Sequence, residues 1–179
     1  MSVVGAEYVI FDVETTGIRP EEGHAVVELA AQRVRERQVV DTFSSIVNPG
    51  RSIEPEAVAV HGITNELVAR EGKSFVEVLP AFVLFSAGAT LVAHNIKFDL
   101  SFVNHHLKQL GLPALANPML DTIELAKQKV AVASYSLTYL ARHFGIPQPQ
   151  AHRALADVEV TRELLFKLLD LPPAASLKK

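Results

Sequence analysis

The 179-residue sequence contains no cysteine, which excludes a disulfide framework and any thiolate site. It also lacks a membrane span, since no run approaches the roughly 18 apolar residues that one requires. The opening MSVVGAEYVI has neither the basic region nor the long apolar stretch of a signal peptide. A soluble, cytoplasmic protein is the expectation. An excess of positive charge is missing as well. The formal net charge of −3 is not the balance of a dedicated duplex-DNA binder. A nucleic-acid partner would therefore need a local patch or bound cations to offset repulsion. No internal repeat and no low-complexity stretch is present. What remains is a chain with 49% hydrophobic residues, long enough for one domain with a sizeable core.

The apolar patterning organises that domain. Tyr8 to Val13 is apolar at both odd and even positions, the signature of a central strand covered on both faces. Two more strands, Ala25 to Val34 and Val39 to Val47, flank a hairpin-like Arg35 to Gln38 and complete an antiparallel meander. Helices are expected at Pro55 to His61, Asn65 to Arg70 and Ser74 to Ser86. A short strand Leu91 to Ala93 precedes a helix from Phe98 to Leu110. Another strand at Met119 to Asp121 precedes helices at Ile123 to Lys129, Leu137 to Phe144 and Ala154 to Leu169. This order predicts an α/β fold, a mixed sheet with helices on its faces. The last residues, PPAASLKK, read as a flexible tail.

Carboxylates stand where this pattern does not want them. In FDVETTG, Asp12 and Glu14 follow a buried strand. If the strand persists, they share one side. At about 4 Å and an effective dielectric near 20 they repel by roughly 4 kcal/mol, and a divalent cation removes that cost. The alternative is a pair of exposed loop charges. The same spacing at Asp157 and Glu159 differs, because a helix turns those side chains about 200° apart. Asp157 falls on the apolar arc of Val158, Val160, Leu164, Leu165, Leu168 and Leu169, with Glu159, Arg162 and Glu163 opposite. Either it is buried with a partner, or it is a first-turn residue near a helix N-terminus. Asp99 likewise shares the arc of Leu100, Val103, Leu107 and Leu110, just after a short strand, although Asp is also at home near a helix start. His152 can act with Asp157 only from the loop before the last helix, a late start that Pro147 to Gln150 favours. There it is either a general base or an exposed loop histidine. His24, His105, His106 and His143 read only as the latter.

These three blocks, FDVETTG, LVAHNIKFD and HRALAD, resemble in order those of the DEDDh-type 3′–5′ exonucleases, the DnaQ-like group of the ribonuclease H-like superfamily. The resemblance runs from YVIFDVETTG to AHRALADVEVT, and His152 five residues before Asp157 marks the histidine class. It implies a ribonuclease H-like five-stranded sheet within residues 1–171, and residues 172–179 as the tail. It implies that Asp12, Glu14, Asp99 and Asp157 hold two Mg²⁺ or Mn²⁺ ions, with Asp12 bridging both. His152 would take a proton from the attacking water. It further implies substrate contacts from the turn Thr15, Thr16 and Gly17, from His61 and Ile63 in VHGIT, and from Asn95 and Phe98 around Asp99. The expected substrate is a single-stranded nucleic acid 3′ end, DNA favoured over RNA, with a nucleoside 5′-monophosphate as product. ETTG and VNPG lean towards the epsilon-type proofreading branch and thus towards a DNA polymerase as partner. Two alternatives stay open: an RNA-processing 3′–5′ exonuclease, and a catalytically idle nucleic-acid-binding module.

Overall fold

The structure is a computed structural model that describes residues 6–148 and 152–172. Three strands, β1 (Glu7–Thr15), β2 (Val26–Arg35) and β3 (Gln38–Ile46), form the antiparallel meander. The strands β4 (Thr90–Ala93) and β5 (Met119–Asp121) add in parallel beside β1, giving a five-stranded sheet of order β3-β2-β1-β4-β5. This is the expected mixed α/β fold. β1 is central, and both its faces are covered, which explains its unbroken apolar run.

The odd residues Val9, Phe11 and Val13 pack with Leu79 and Phe82 of α3 (Phe75–Ser86) and with Leu100, Val103 and Leu107 of α4 (Ile96–Gln109). The even residue Ile10, with Ala30 and Val34 of β2, meets Ala154, Val158 and Leu165 of α7 (Ala154–Asp170). α5 (Thr122–Lys129) and α6 (Leu137–His143) continue that second layer through Ala126, Leu140 and Leu164. α1 (Pro55–His61) and α2 (Asn65–Glu71) close over the start of β2, where Ile63 and Val68 join Val27 and Ile53. Among the described residues, no helix is long and apolar enough to cross a membrane.

Four details depart from the expectations. β1 continues through Glu14 to Thr15, so the condition for Asp12 and Glu14 sharing a side is met. α4 starts at Ile96 rather than Phe98, because the Asp121 carboxylate accepts the amides of Asn95 (3.2 Å) and Ile96 (3.1 Å) and caps the helix from a neighbouring strand. His106 is no loop histidine. It is buried, stacked at 4.0 Å on Phe75, and its Nε2 accepts the Val26 amide. Leu169, placed on the buried arc of the last helix, is 37% exposed, whereas Leu168 beside it is fully buried, since Leu169 falls at the margin of that arc. Pro149 and Gln150 of the PQPQ segment, and the expected tail from residue 173, lie outside the described residues.

Candidate active site

β1 carries the first two carboxylates to the rim of the sheet. Asp12 and Glu14, two apart on one strand, project towards α7, whose first turn supplies Asp157. One carboxylate oxygen from each of Asp12, Glu14 and Asp157 lies within 4.8 Å of the others. Charges at that spacing repel by roughly 3 kcal/mol per pair at an effective dielectric near 20. Asp157 turns out to be both buried, at 7% exposure, and a first-turn residue, so the two readings of its position were compatible. Glu159 points away into solvent. Asp99, 2% exposed in the first turn of α4, stands beside this close triad, and its Oδ1 accepts the Val13 amide at 3.1 Å.

Burial and mutual repulsion raise the proton affinity of the whole group. Burial, followed by the charges of Asp157 and Glu28, pushes Glu14 up to about 8, against a smaller opposing pull from Arg153. Asp12 is raised well above the carboxylate range by burial, then by Asp99, Glu14, Asp157 and Glu28. Asp99 is raised by burial despite the Val13 amide. Asp157 is raised by burial too, opposed by the His152 amide and Gln148. An all-oxygen, tightly spaced anionic cluster without matching cations fits hard divalent ions, which would relieve this cost.

His152 stands on the bend before α7, as its proposed work with Asp157 requires. Its backbone is left-handed, with φ of 61°, and its amide donates to Asp157 Oδ2 at 3.0 Å. The residue is exposed to solvent.

The expected substrate residues divide by burial. The Thr15 hydroxyl donates to the Gly17 carbonyl at 2.6 Å, and Thr16 Oγ1 accepts the Ala25 amide at 3.0 Å. Both hydroxyls thus help to shape the turn, together with the Thr16 amide, which donates to the Ala25 carbonyl at 2.8 Å. A Cβ on Gly17 would lie 2.5 Å from the His24 ring, so His24 packs on the turn rather than standing free in a loop. His61 is 4% exposed; its Nδ1 accepts the Ile63 amide at 3.0 Å while Nε2 is buried without a partner of good geometry. Burial lowers its pKa, and the nearby Thr15 carbonyl pulls weakly the other way. Ile63 is not the substrate contact expected: its side chain is fully enclosed in the core with Val27, Ile53 and Val68, and it meets His61 only through its backbone amide. Asn95 is exposed in a left-handed conformation, with φ of 72°, and Phe98 lies half-buried 5.1 Å from Phe102.

Two residues around the cluster were missed in the sequence. Glu28 of β2 lies opposite Glu14 and is 3% exposed. It accepts from Arg153 Nε (3.2 Å), Arg153 Nη2 (2.8 Å) and the Ala154 amide (3.0 Å). Its signal was a lone acid in the apolar stretch AVVELAA, the same conflict that marked Asp12. Asp121 is the other, fixing the start of α4 and hence Asp99.

Comparison with known proteins agrees with this geometry. The family model described as "Exonuclease" (RNase_T) matches residues 9–165. A DNA polymerase III PolC-type protein of Caldanaerobacter subterraneus subsp. tengcongensis is 37% identical over 165 residues, 92% of this chain but 12% of that protein. A DNA polymerase III subunit epsilon-like protein of Rhodobacter capsulatus is 40% identical over 175 residues, 95% of this chain and 25% of that one. This chain therefore spans only a minor part of these relatives. Among solved structures, exonuclease X in complex with 5′ overhanging duplex DNA superposes with a TM-score of 0.71 at 27% identity, covering 90% of each chain. A carboxylate cluster at the rim of this mixed sheet, together with a family model spanning nearly the whole fold, leads to one conclusion: the chain belongs to the RNase_T exonuclease family.

Proposed function

We propose that this chain is a 3′–5′ exodeoxyribonuclease that removes nucleoside 5′-monophosphates from single-stranded DNA ends in replication proofreading or repair. The observation that carries the reading is the triad of Asp12, Glu14 and Asp157 oxygens within 4.8 Å, with His152 held at its edge by the 3.0 Å bond to Asp157. Asp12, Glu14, Asp99 and Asp157 would hold two divalent cations, Mg²⁺ or Mn²⁺, as the hardness of their oxygen donors favours. When bound, these ions supply Lewis-acid stabilisation of an in-line phosphoryl displacement.

The remaining work falls to the chain. His152 would accept a proton from the attacking water, whose oxygen bonds to phosphorus as the bond to the leaving 3′ oxygen breaks, that oxygen taking up a proton from solvent. The turn of Thr15, Thr16 and Gly17 offers backbone to the terminal nucleotide. His61, buried beneath this turn with the Thr15 carbonyl beside its ring, would support the turn from below. Phe98 and Asn95 flank the opening, and Ile18, 72% exposed beside the turn, adds apolar surface for a base. Ile63 supports His61 from behind. The domain would span residues 1–171; relatives named as DNA polymerase III proteins support a cytoplasmic location and association with a DNA polymerase.

Matched DNA and RNA oligomers, each with free or blocked 3′ ends, test the reading when competed in Mg²⁺ or Mn²⁺. Stepwise shortening of unblocked DNA ahead of RNA is expected. Preferential loss of RNA would assign the chain to RNA processing instead, and an inert chain that still binds single strands would make it a binding module.

A further inference from the structure

Glu28 takes no part in the reaction outlined above, yet it is among the most deeply buried charges of the chain. It lies opposite Glu14 in the β1–β2 ladder, where like charges destabilise a sheet. Its two oxygens are instead committed to the start of α7. Arg153 Nη2 donates to Oε1 at 2.8 Å and Nε to Oε2 at 3.2 Å, a two-pronged fork. The amide of Ala154, first residue of α7, donates to Oε2 at 3.0 Å. Arg153 occupies the N-cap position with no side-chain cap of its own, so Glu28 performs that capping from the adjacent strand.

His152 is rooted in this same bend. Its own amide is held by Asp157 at 3.0 Å, the next side chain by Glu28, and the amide after that by Glu28 as well. A left-handed histidine, here with φ of 61°, is unfavourable by about 1 kcal/mol or more and persists only where neighbours impose it. Anchoring of α7 as a whole does not depend on this contact. Arg162 Nη1 binds Gln32 Oε1 at 2.7 Å further along the same two elements, and Val158, Leu164 and Leu165 are buried. The two ties match in span: four strand residues and nine helix residues each cover about 13 Å.

Resting on the proposed reaction, we propose that Glu28 and Arg153 are positioning residues that fix the 152–154 bend and thereby aim His152 at the carboxylate cluster. Neither side chain is a cation ligand or a proton carrier in this role. Arg153→Ala and the isosteric Glu28→Gln therefore lower kcat on single-stranded DNA roughly 10- to 100-fold, with KM held within about twofold. Arg153→Lys, which keeps the charge but not the fork, recovers only part of the rate.

The deciding experiment repeats these substitutions in a His152→Ala chain and follows amide hydrogen exchange in each variant. If the pair acts through His152, Arg153→Ala and Glu28→Gln change the residual rate of His152→Ala less than about twofold. The amides of His152 and Ala154 then exchange at least about tenfold faster in the single variants, while those of Leu164 and Leu165 keep their protection. Equal rate losses in both backgrounds, or faster exchange along the whole of α7, would overturn the inference and leave a simple helix anchor. A wild-type chain inert towards DNA and RNA would instead sink the proposed reaction, and the exchange pattern would still decide whether the pair holds the bend.

Discussion

Glu14→Gln should make the metal-free protein more stable, although it removes a carboxylate of the candidate active site. In the folded chain Glu14 holds its proton up to a pH of about 8, against 4.5 for the free side chain. The folded state therefore binds this proton more tightly than the unfolded state. Its contribution is complete below pH 4.5 and is lost as pH rises through 8. At about 1.4 kcal/mol per pH unit, the folded chain loses roughly 3 kcal/mol by pH 7, where Glu14 is ionised only in the unfolded chain, and roughly 5 kcal/mol well above pH 8, where it is ionised in both. Pairwise repulsion of roughly 3 kcal/mol across the 4.8 Å cluster is of the same order. Thermal unfolding in excess chelator should give Glu14→Gln a midpoint about 9–18 °C above wild type at pH 8, and the gap should narrow to a few degrees at pH 5. Saturating Mn²⁺ should narrow or reverse the difference, since wild type gains about 2.7 kcal/mol at a concentration 100 times its Kd. A wild-type stability that is flat from pH 5 to 8 in chelator, or a variant no more stable at pH 8, would refute this account of the cluster.

The other expectations concern the frame around the site. Gly17→Ala would place a Cβ 2.5 Å from the His24 ring, forcing that ring off the Arg19 amide it accepts at 3.1 Å. We expect a loss of about 1–3 kcal/mol in urea unfolding, largely recovered in Gly17→Ala/His24→Ala; an unchanged single variant would contradict the packing described. Glu7→Gln tests the opposite pH slope. Hydrogen bonding from Arg33, then Arg35, holds Glu7 down at about 2, so its contribution is present above pH 4.5 and is lost as pH falls through 2. Solvent reaches this network, which limits the expected loss at pH 7 to about 1 kcal/mol, vanishing in acid; a loss that persists at pH 2 would point to packing instead.

Much of the site was legible because charge and hydrophobic pattern conflict at its residues. Asp12, Asp99 and Asp157 each interrupt an apolar strand or helix face, and the structure buries or half-buries all three. Glu28 posed the same conflict, but its meaning depends on strand register and on an arginine 125 residues away, neither of which local periodicity contains. Asp121 was hidden for a similar reason: its carboxylate ties the amides of Asn95 and Ile96 to that of Ile123, and so lengthens α4 beyond its apolar pattern. His106 read as a loop residue because its stacking partner, Phe75, comes from another helix.

In the proposed reaction the carboxylate cluster drives removal of nucleotides from a 3′ end. The most direct test follows 5′-labelled single-stranded DNA with wild type, Asp12→Ala and Asp157→Ala, each in Mg²⁺, Mn²⁺ and excess chelator. A ladder of products shortened one nucleotide at a time from the 3′ end, with nucleoside 5′-monophosphates released, is expected only for wild type and only with metal. Undiminished cleavage by either variant, or by wild type in chelator, would contradict it.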